Sequence, residues 1–402
     1  MPLFVSLSVR PKALFGALEK GRPRRAVLYI ALPLYLFAWL FTQRPCFLLL
    51  RAKALPGLRA FSAVREALLP LYGSCNIAFT YKGVKWLYIT FLKGTPMFKI
   101  HCLNNISKVG LAELTDQYQL TDNIQEADAI LVRSANMHEM QIPASVKCIA
   151  RAGAGVNNIP LEALAEAGVP VFNTPGANAN AVKELVLCGM LLAARDVVGG
   201  IQWVKENAQD QNIAKSAEKA KKAFAGGEIM GKTLGVIGLG AIGKLVVTAA
   251  EALGMKVVGY DPFLDAEKAA AISPAMTFTT DLAQLMAASD YATIHVPAMP
   301  ATKGMINAEL LEAAPEGLVF LNFSRDTLVD NAAMSAALES GKVARYVTDF
   351  ATPEVVAMPN ALVMPHMGAS TAEAEDNCAR MAAQEVMAYL ERGEKIHCVN
   401  MK

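Results

Sequence analysis

Short apolar runs alternate with longer segments of mixed polarity along most of the chain. Residues 129–132, 148–150 and 169–172 are continuous apolar runs, as expected for strands that are buried on both faces. This alternation predicts consecutive βαβ units, and therefore an α/β protein with parallel sheets. Residues 181–194 are apolar on almost every side, which predicts a helix buried between two domains. Residues 207–222 are polar and rich in Ala and Lys, which predicts a solvated helix or loop.

The first 96 residues differ from the rest of the chain in charge. They contain 14 Lys and Arg but only Glu19 and Glu66, so the remainder carries 38 − 14 = 24 basic against 36 − 2 = 34 acidic residues. Residues 26–41 are apolar but fall short of the about 20 residues that a membrane-spanning helix needs. Three interpretations stay open for this segment: an extension without functional role before a true start at Met97, a membrane anchor, or a targeting segment.

Composition excludes several classes of protein. A hydrophobic content of 53% with 18% charged residues is too apolar for a disordered chain. The seven cysteines are scattered and form no paired ligand spacing, which predicts a reducing, cytoplasmic compartment and no metal site. A net charge of +2 gives no indication of a nucleic-acid partner.

A glycine-rich turn lies between a predicted strand at residues 233–239 and a predicted helix at residues 241–253. In nucleotide-binding βαβ units the first glycine permits a tight turn, the second admits a pyrophosphate and the third allows close packing of helix on strand. The helix N-terminus attracts the anion. The predicted cofactor-binding residues here are Gly238, Gly240, Ala241, Ile242 and Gly243.

The next predicted strand, residues 256–260, ends at Asp261. This carboxylate would accept hydrogen bonds from the adenosine ribose, and its charge would repel a 2′-phosphate. Residues 262–265 contain no Lys or Arg that could bind such a phosphate. The sequence therefore favours NAD over NADP as the cofactor.

Polar motifs follow three further predicted strands, at residues 318–321, 344–347 and 361–363. The carboxyl ends of parallel strands lie at one edge of a sheet, where open α/β folds bind their ligands. An arginine, two acids and a histidine are therefore expected to converge at this edge. The residues concerned are Arg325, Asp349, Glu354 and His366.

From about Met97 to its end, the chain resembles the D-isomer-specific 2-hydroxyacid dehydrogenases, which carry these motifs in this order. The resemblance implies a Rossmann-type doubly wound nucleotide domain inserted in a smaller, flavodoxin-like α/β substrate domain. It also implies a homodimer formed through the nucleotide domains. The expected division of the chain is an extension at 1–96, a substrate domain at 97–189 and 369–402, and an NAD-binding domain at 190–368.

The resemblance also implies roles for the converging side chains. His366 would act as the acid or base for the substrate hydroxyl, and Glu354 would orient its imidazole. Arg325 would hold the substrate carboxylate, a task suited to a planar and permanently charged guanidinium. Asp349 would lie near the nicotinamide amide. Asp326 stands where the family has glycine, which adds a negative charge close to an anionic substrate.

Within the family, the motifs are most similar to those of the short phosphoglycerate dehydrogenases, which have no regulatory domain. That similarity implies oxidation of a phosphorylated 2-hydroxy acid, with Arg133 and Arg151 holding the phosphate. Two alternatives stay open: another D-2-hydroxyacid dehydrogenase, such as a hydroxypyruvate or glyoxylate reductase, and an NAD-sensing, corepressor-like binding protein. We expect no membrane contact for the body of the protein. His295 is expected to be either structural or adjacent to the cofactor.

Overall fold

The structure is a computed structural model that describes residues 97–401 and, before them, the backbone of three strands. The chain divides into two compact units, Met1–Met97 and Phe98–Lys402. The described strands of the first unit are β1 (Leu48–Arg51), β2 (Gly73–Thr80) and β3 (Trp86–Lys93). They form an antiparallel sheet in which β3 lies between β1 and β2. The apolar segment 26–41 lies outside the described residues. Among those that are described, no helix combines the length and apolarity needed to cross a bilayer.

The second unit begins with a sheet of five parallel strands: β4 (Phe98–Cys102), β5 (Tyr118–Leu120), β6 (Ala129–Val132), β7 (Cys148–Arg151) and β8 (Val171–Phe172). Their order is β5-β4-β6-β7-β8, which is the flavodoxin-like order. Two short helices lie in its connections, α1 (Lys108–Leu111) and α2 (Leu161–Glu166). Neighbouring residues of one strand pack on opposite faces, as Leu131 and Val132 do, so both faces are buried.

Three helices connect this sheet to the next: α3 (Ala179–Ala194), α4 (Val197–Glu206) and α5 (Ile213–Ala220). The prediction that residues 181–194 form a helix is confirmed. That this helix is buried on almost every side is wrong, because Leu191 is 44% exposed while Val186 and Met190 are fully buried. One face of α3 packs against the rest of the unit. The opposite face, which carries Leu191, is exposed among the described residues.

The larger sheet has seven parallel strands: β9 (Thr233–Ile237), β10 (Lys256–Tyr260), β11 (Thr277–Thr279), β12 (Tyr291–Ile294), β13 (Leu318–Asn322), β14 (Val343–Thr348) and β15 (Ala361–Val363). Their order is β11-β10-β9-β12-β13-β14-β15, so the strand order reverses between β9 and β12. This is the Rossmann order with one added strand. The connections contain α6 (Ala241–Ala252), α7 (Ala266–Ile272), α8 (Leu282–Ala288), α9 (Ala308–Ala313), α10 (Asn331–Ser340) and α11 (Pro353–Val356).

The chain then returns to the smaller sheet through α12 (Ala372–Arg392), the longest helix among the described residues. Buried residues of α12, among them Ala379 and Ala382, pack in the same core as β4, β6 and β7. The larger sheet is therefore an insertion in the smaller unit, and the predicted fold class is confirmed. The expected domain limits at 97–189, 190–368 and 369–402 stay a prediction.

Candidate active site

The glycine-rich turn joins β9 to α6, at the point where the strand order of the larger sheet reverses. Gly238 has φ +93°, and a Cβ there would lie 2.7 Å from the His295 carbonyl oxygen. A Cβ on Gly243 would lie 2.0 Å from the Gly238 carbonyl oxygen, so α6 approaches the turn too closely for any side chain. At Gly240 a Cβ would meet no atom within 4 Å. The turn therefore presents an open backbone surface at Gly240, as a pyrophosphate site requires.

Asp261 lies directly after β10, beside this turn. Its Oδ2 accepts a hydrogen bond from the Leu239 amide at 3.0 Å, and its Oδ1 accepts one from the Phe263 amide at 2.9 Å. The next basic residue along the chain, Lys268, is paired with Asp265 at 2.7 Å. The Asp261 carboxylate is therefore fixed next to the glycine turn, with no cation supplied by the segment that follows it.

Asp349 follows β14 and is 1% exposed. Its Oδ2 accepts hydrogen bonds from the backbone amides of Met367 at 3.0 Å and Gly368 at 2.9 Å. Its Oδ1 is buried and has no hydrogen-bond partner among the described residues. Because an unpaired buried acceptor is costly, this oxygen is suited to a donor supplied by a bound molecule, such as a nicotinamide amide.

The loop that carries Arg325 is held by Asn322, the fully buried last residue of β13. The Asn322 side chain donates to the Arg325 carbonyl at 2.8 Å and accepts from the Ser324 amide at 3.1 Å. A Cβ on Gly155 would lie 2.3 Å from Arg325 Nη2, so the guanidinium reaches the loop that follows β7. Sequence reasoning missed Asn322, whose position at a strand end was the only available signal.

A cavity of about 370 Å³ lies where the carboxyl ends of the two sheets face each other. It brings together Ile242 of the glycine-rich turn and four predicted site residues with basic side chains, and two acidic residues that were not predicted as binding groups also line it. The predicted residues are Arg133, Arg151, Arg325 and His366, and the acidic ones are Asp326 and Glu375. In the described part of the chain, no cluster of His, Cys, Asp and Glu could hold a metal ion.

The arginines of the smaller sheet lie at the carboxyl ends of β6 and β7. Arg151 Nε donates to the Arg133 carbonyl at 3.0 Å, and Arg133 Nη2 pairs with Glu375 Oε1 at 2.7 Å. Burial, together with the positive charges of Arg325 and Arg133, lowers the pKa of Arg151 to about 10. Three like charges around one cavity favour an anionic ligand, which would relieve their mutual repulsion.

A second residue missed by sequence reasoning, Asn104, positions the Arg133 loop. Its Oδ1 accepts hydrogen bonds from the backbone amides of Arg133, Ser134 and Ala135, each at 3.0 Å. Three donors to one oxygen fix the loop at the end of β6. Only the position of Asn104 after β4 could have indicated this role.

His366 follows β15 on an exposed loop, and its ring centroid lies 5.0 Å from that of Phe350. The expectation that Glu354 orients this imidazole stays a prediction. The Glu354 carboxylate accepts hydrogen bonds from its own backbone amide and from Thr352, which lower its pKa. Within residues 97–401, no hydrogen bond joins Glu354 to His366. Glu354 lines a neighbouring cavity, which shares Asp326 with the cavity that His366 lines.

The start of α11 explains the position of Glu354. Thr352 is the N-cap and accepts a hydrogen bond from the Val355 amide at 3.3 Å, and Pro353 occupies the first helical position. Glu354 is therefore the second residue of a helix, where the free backbone amides hold a carboxylate. The spacing from Asp349 to Glu354 matches the family motif, and the helix start fixes the backbone that carries the Glu354 side chain.

His295 lies after β12, beneath the glycine turn. Its Nε2 lies 3.1 Å from the Thr293 hydroxyl, while its Nδ1 is buried without a partner among the described residues. Burial lowers its pKa to about 3, so the imidazole is neutral at ordinary pH. Because its carbonyl oxygen lies against Gly238, His295 contributes to the floor of the turn.

Comparison with known proteins places this geometry in a family. The family model described as D-isomer specific 2-hydroxyacid dehydrogenase, NAD binding domain, matches residues 187–368. D-3-phosphoglycerate dehydrogenase of Methanocaldococcus jannaschii is 34% identical over 304 residues, which are 73% of this chain and 56% of that protein. The chain belongs to the D-isomer specific 2-hydroxyacid dehydrogenase family. A second relative, D-3-phosphoglycerate dehydrogenase of Mycobacterium bovis, is 36% identical over 67% of this chain and 51% of its own length.

The chain thus spans about half the length of the curated relatives it matches. Solved structures are similar to about three quarters of this chain. NAD⁺-bound 3-phosphoglycerate dehydrogenase of Entamoeba histolytica has a TM-score of 0.61 at 25% identity, covering 75% of this chain and 98% of that chain. A glyoxylate reductase from Paecilomyes thermophila has a TM-score of 0.63 at 23% identity, and the match covers 76% of this chain and 98% of that chain. The second of these supports the fold alone.

Proposed function

We propose that this protein is an NAD-dependent dehydrogenase that oxidises 3-phospho-D-glycerate to 3-phosphohydroxypyruvate, the entry step to serine synthesis. The observation that carries the proposal is the convergence of Arg133, Arg151 and Arg325 on the cavity that His366 also lines. A phosphorylated 2-hydroxy acid carries two anionic groups, and guanidinium groups bind both carboxylate and phosphate through paired hydrogen bonds. The curated relatives named D-3-phosphoglycerate dehydrogenase support the same choice of substrate.

The residues around the glycine turn fit NAD. Gly240 offers open backbone for the pyrophosphate, Asp261 would accept from the ribose hydroxyls, and the unpaired Asp349 oxygen would accept from the nicotinamide amide. When bound, the nicotinamide supplies the hydride acceptor of the reaction. Because Asp261 would repel a 2′-phosphate, we expect turnover with NAD to exceed turnover with NADP.

The side chains of the cavity would handle the substrate. Arg325, fixed by Asn322 and Gly155, would hold the carboxylate, and Arg133 and Arg151 would hold the phosphate. His366 would take the proton from the 2-hydroxyl group as the hydride leaves the carbon atom. Since His366 is exposed, the imidazole would pass this proton to solvent.

We also propose that the protein is a cytoplasmic homodimer joined through the helices before the larger sheet. On α3 and α4, the apolar side chains of Leu191, Val197, Val198, Ile201 and Val204 are all between 42% and 53% exposed. An exposed set of this kind on adjacent helices is typical of a surface that a second subunit covers.

A second candidate is reduction of an unphosphorylated 2-oxo acid, such as hydroxypyruvate or glyoxylate. The pairing of Arg133 with Glu375 favours it, because this pair leaves less positive charge available for a phosphate.

The two candidates are separated by turnover. Purified full-length protein is assayed by NADH absorbance with 3-phospho-D-glycerate, D-glycerate and D-lactate, and in reverse with hydroxypyruvate and glyoxylate. We expect the highest kcat/KM for 3-phospho-D-glycerate. A preference for hydroxypyruvate or glyoxylate selects the second candidate, and binding of NADH without turnover of any substrate contradicts both.

A further inference from the structure

Glu375 occupies a place in the cavity that the proposed reaction does not explain. It lies in the first turn of α12, and its Oε1 is 2.7 Å from Nη2 of Arg133. Both side chains line the same cavity as Arg151 and Arg325. In the free protein, the carboxylate of Glu375 thus holds one of the guanidinium groups that a phosphate would use.

The backbone of α12 has little room to withdraw from this position. A Cβ on Gly110 would lie 2.2 Å from Cβ of Ala379, so α1 and α12 are in the closest contact that glycine permits. The Ser107 hydroxyl also donates a hydrogen bond to Asp376, the residue after Glu375. The Glu375 side chain is 41% exposed, so rotation of this side chain into solvent is the available way to free Arg133.

The negative charge of Glu375 should affect the binding of a phosphorylated substrate specifically. Asp326 and Glu375 oppose the three guanidinium groups that line the cavity. A phosphate on Arg133 would lie close to the Glu375 carboxylate, and a dianion and an anion that share one cation repel each other. The carboxylate of a small 2-hydroxy acid, held by Arg325, would not share Arg133 with Glu375.

We propose that Glu375 is a specificity-determining residue that competes with the substrate phosphate for Arg133. It thereby lowers the affinity for phosphorylated 2-hydroxy acids and leaves that for unphosphorylated ones unchanged. This inference rests on the proposed function in one respect, namely that the phosphate binds at Arg133.

The test compares Glu375→Gln with Glu373→Gln, which removes one charge from the same helical turn outside the cavity lining. For Glu375→Gln we expect KM for 3-phospho-D-glycerate to fall by about fivefold, the size of an exposed ion pair, while KM for D-glycerate stays unchanged. We expect Glu373→Gln to match the wild type with both substrates. A higher KM for 3-phospho-D-glycerate in Glu375→Gln would show that Glu375 positions Arg133, and would overturn the proposal.

A direct binding measurement keeps this inference separate from the proposed reaction. Inorganic phosphate is titrated calorimetrically into wild-type, Glu375→Gln and Glu375→Ala full-length protein, each first checked for an unchanged melting temperature. Both Glu375 variants are expected to bind phosphate about fivefold more tightly than the wild type. If the Glu375 variants bind phosphate as weakly as the wild type or more weakly, the inference is overturned, regardless of which substrate the enzyme turns over. Absence of 3-phospho-D-glycerate turnover in the wild type contradicts the proposed function alone.

Discussion

His366 and Glu354 line neighbouring cavities that share Asp326, and whether the two side chains interact decides how a proton would leave the site. In many histidine-based sites a carboxylate fixes the imidazole and stabilises its charged form. Here the Glu354 carboxylate is held by the start of α11 instead, and the imidazole of His366 lies exposed beside Phe350. The two side chains should therefore contribute very differently to turnover.

We expect His366→Gln to lower kcat by about 10²- to 10⁴-fold, the usual contribution of a general acid or base. Glu354→Gln is expected to leave both kcat and the pH dependence of kcat/KM unchanged, because no hydrogen bond joins the two groups in the described part of the chain. NADH binding by fluorescence serves as the control and should be normal in both variants. A displaced pH profile in Glu354→Gln would restore the carboxylate–histidine pair and refute this placement.

The site residues differ in how well a sequence can predict them. Arg133, Arg151, Arg325 and His366 follow apolar runs, and the rule that strand ends share an edge brings them together correctly. Asn104 and Asn322 act through hydrogen bonds to neighbouring loops, and no local pattern reports such contacts. The spacing of Glu354 matches the family motif, but spacing alone does not report where a side chain in the first turn of α11 points.

At the scale of elements, the β9 to α6 connection was the most predictable part of the molecule. Predicted strand 256–260 agrees with β10, and predicted helix 241–253 differs from α6 by one residue. These elements follow from local periodicity and from glycine chemistry, so they need no knowledge of distant contacts. The exposed face of α3 could not be predicted, because burial depends on what packs against the helix.

The glycines of this turn predict two separable effects. Gly243→Ala should lower the free energy of unfolding by about 1–3 kcal/mol, because the new Cβ would overlap the Gly238 carbonyl oxygen. In Gly240→Ala the new Cβ meets open space, so the free energy of unfolding should be unchanged, while NADH affinity should fall by about tenfold because this Cβ would occupy space that the pyrophosphate needs beside the backbone. Denaturant titration and NADH fluorescence measure the two quantities. Equal stability losses would contradict the different roles of the two positions.

Helix α12 contains a buried acid, Glu385, whose Oε1 lies 2.7 Å from Nδ1 of His397 in the segment after the helix. Its other oxygen, Oε2, is buried without a partner in the described chain. Burial raises the pKa of Glu385 from 4.5 to about 7. Between pH 4.5 and about pH 7, Glu385 keeps its proton in the folded protein but loses it in the unfolded chain. The free energy of unfolding should therefore fall as the pH rises through this range.

Glu385→Gln removes this dependence and keeps a hydrogen-bond donor for His397. We expect the variant to be more stable than the wild type by about 1–3 kcal/mol at pH 8, and to show no such gain at pH 4.5. Thermal unfolding at the two pH values measures the difference. If Glu385→Gln were stabilised equally at pH 8 and pH 4.5, the charge of Glu385 would not be the cause of the gain in stability.

At the scale of the whole molecule, the apolar face of α3 and α4 predicts the oligomeric state. Ile201 is 53% exposed at its centre, so Ile201→Asp would place a charge in the proposed dimer interface. We expect the wild type to have the mass of a dimer by light scattering and Ile201→Asp that of a monomer. Val109→Asp, at a similarly exposed apolar position on α1, is the control and should stay dimeric. A monomeric wild type would contradict the proposed interface.

The central claim is that Arg133 and Arg151 select a phosphorylated substrate, and one ratio tests it. This ratio is kcat/KM for 3-phospho-D-glycerate divided by kcat/KM for D-glycerate, measured for the wild type, Arg133→Ala and Arg151→Ala. Arg380→Ala, which removes an α12 arginine paired with Glu113 outside the cavity lining, is the control. We predict that the ratio falls by about tenfold or more in both cavity variants and is unchanged in the control. If both substrates lose kcat/KM equally, the arginines do not recognise phosphate and the account is wrong.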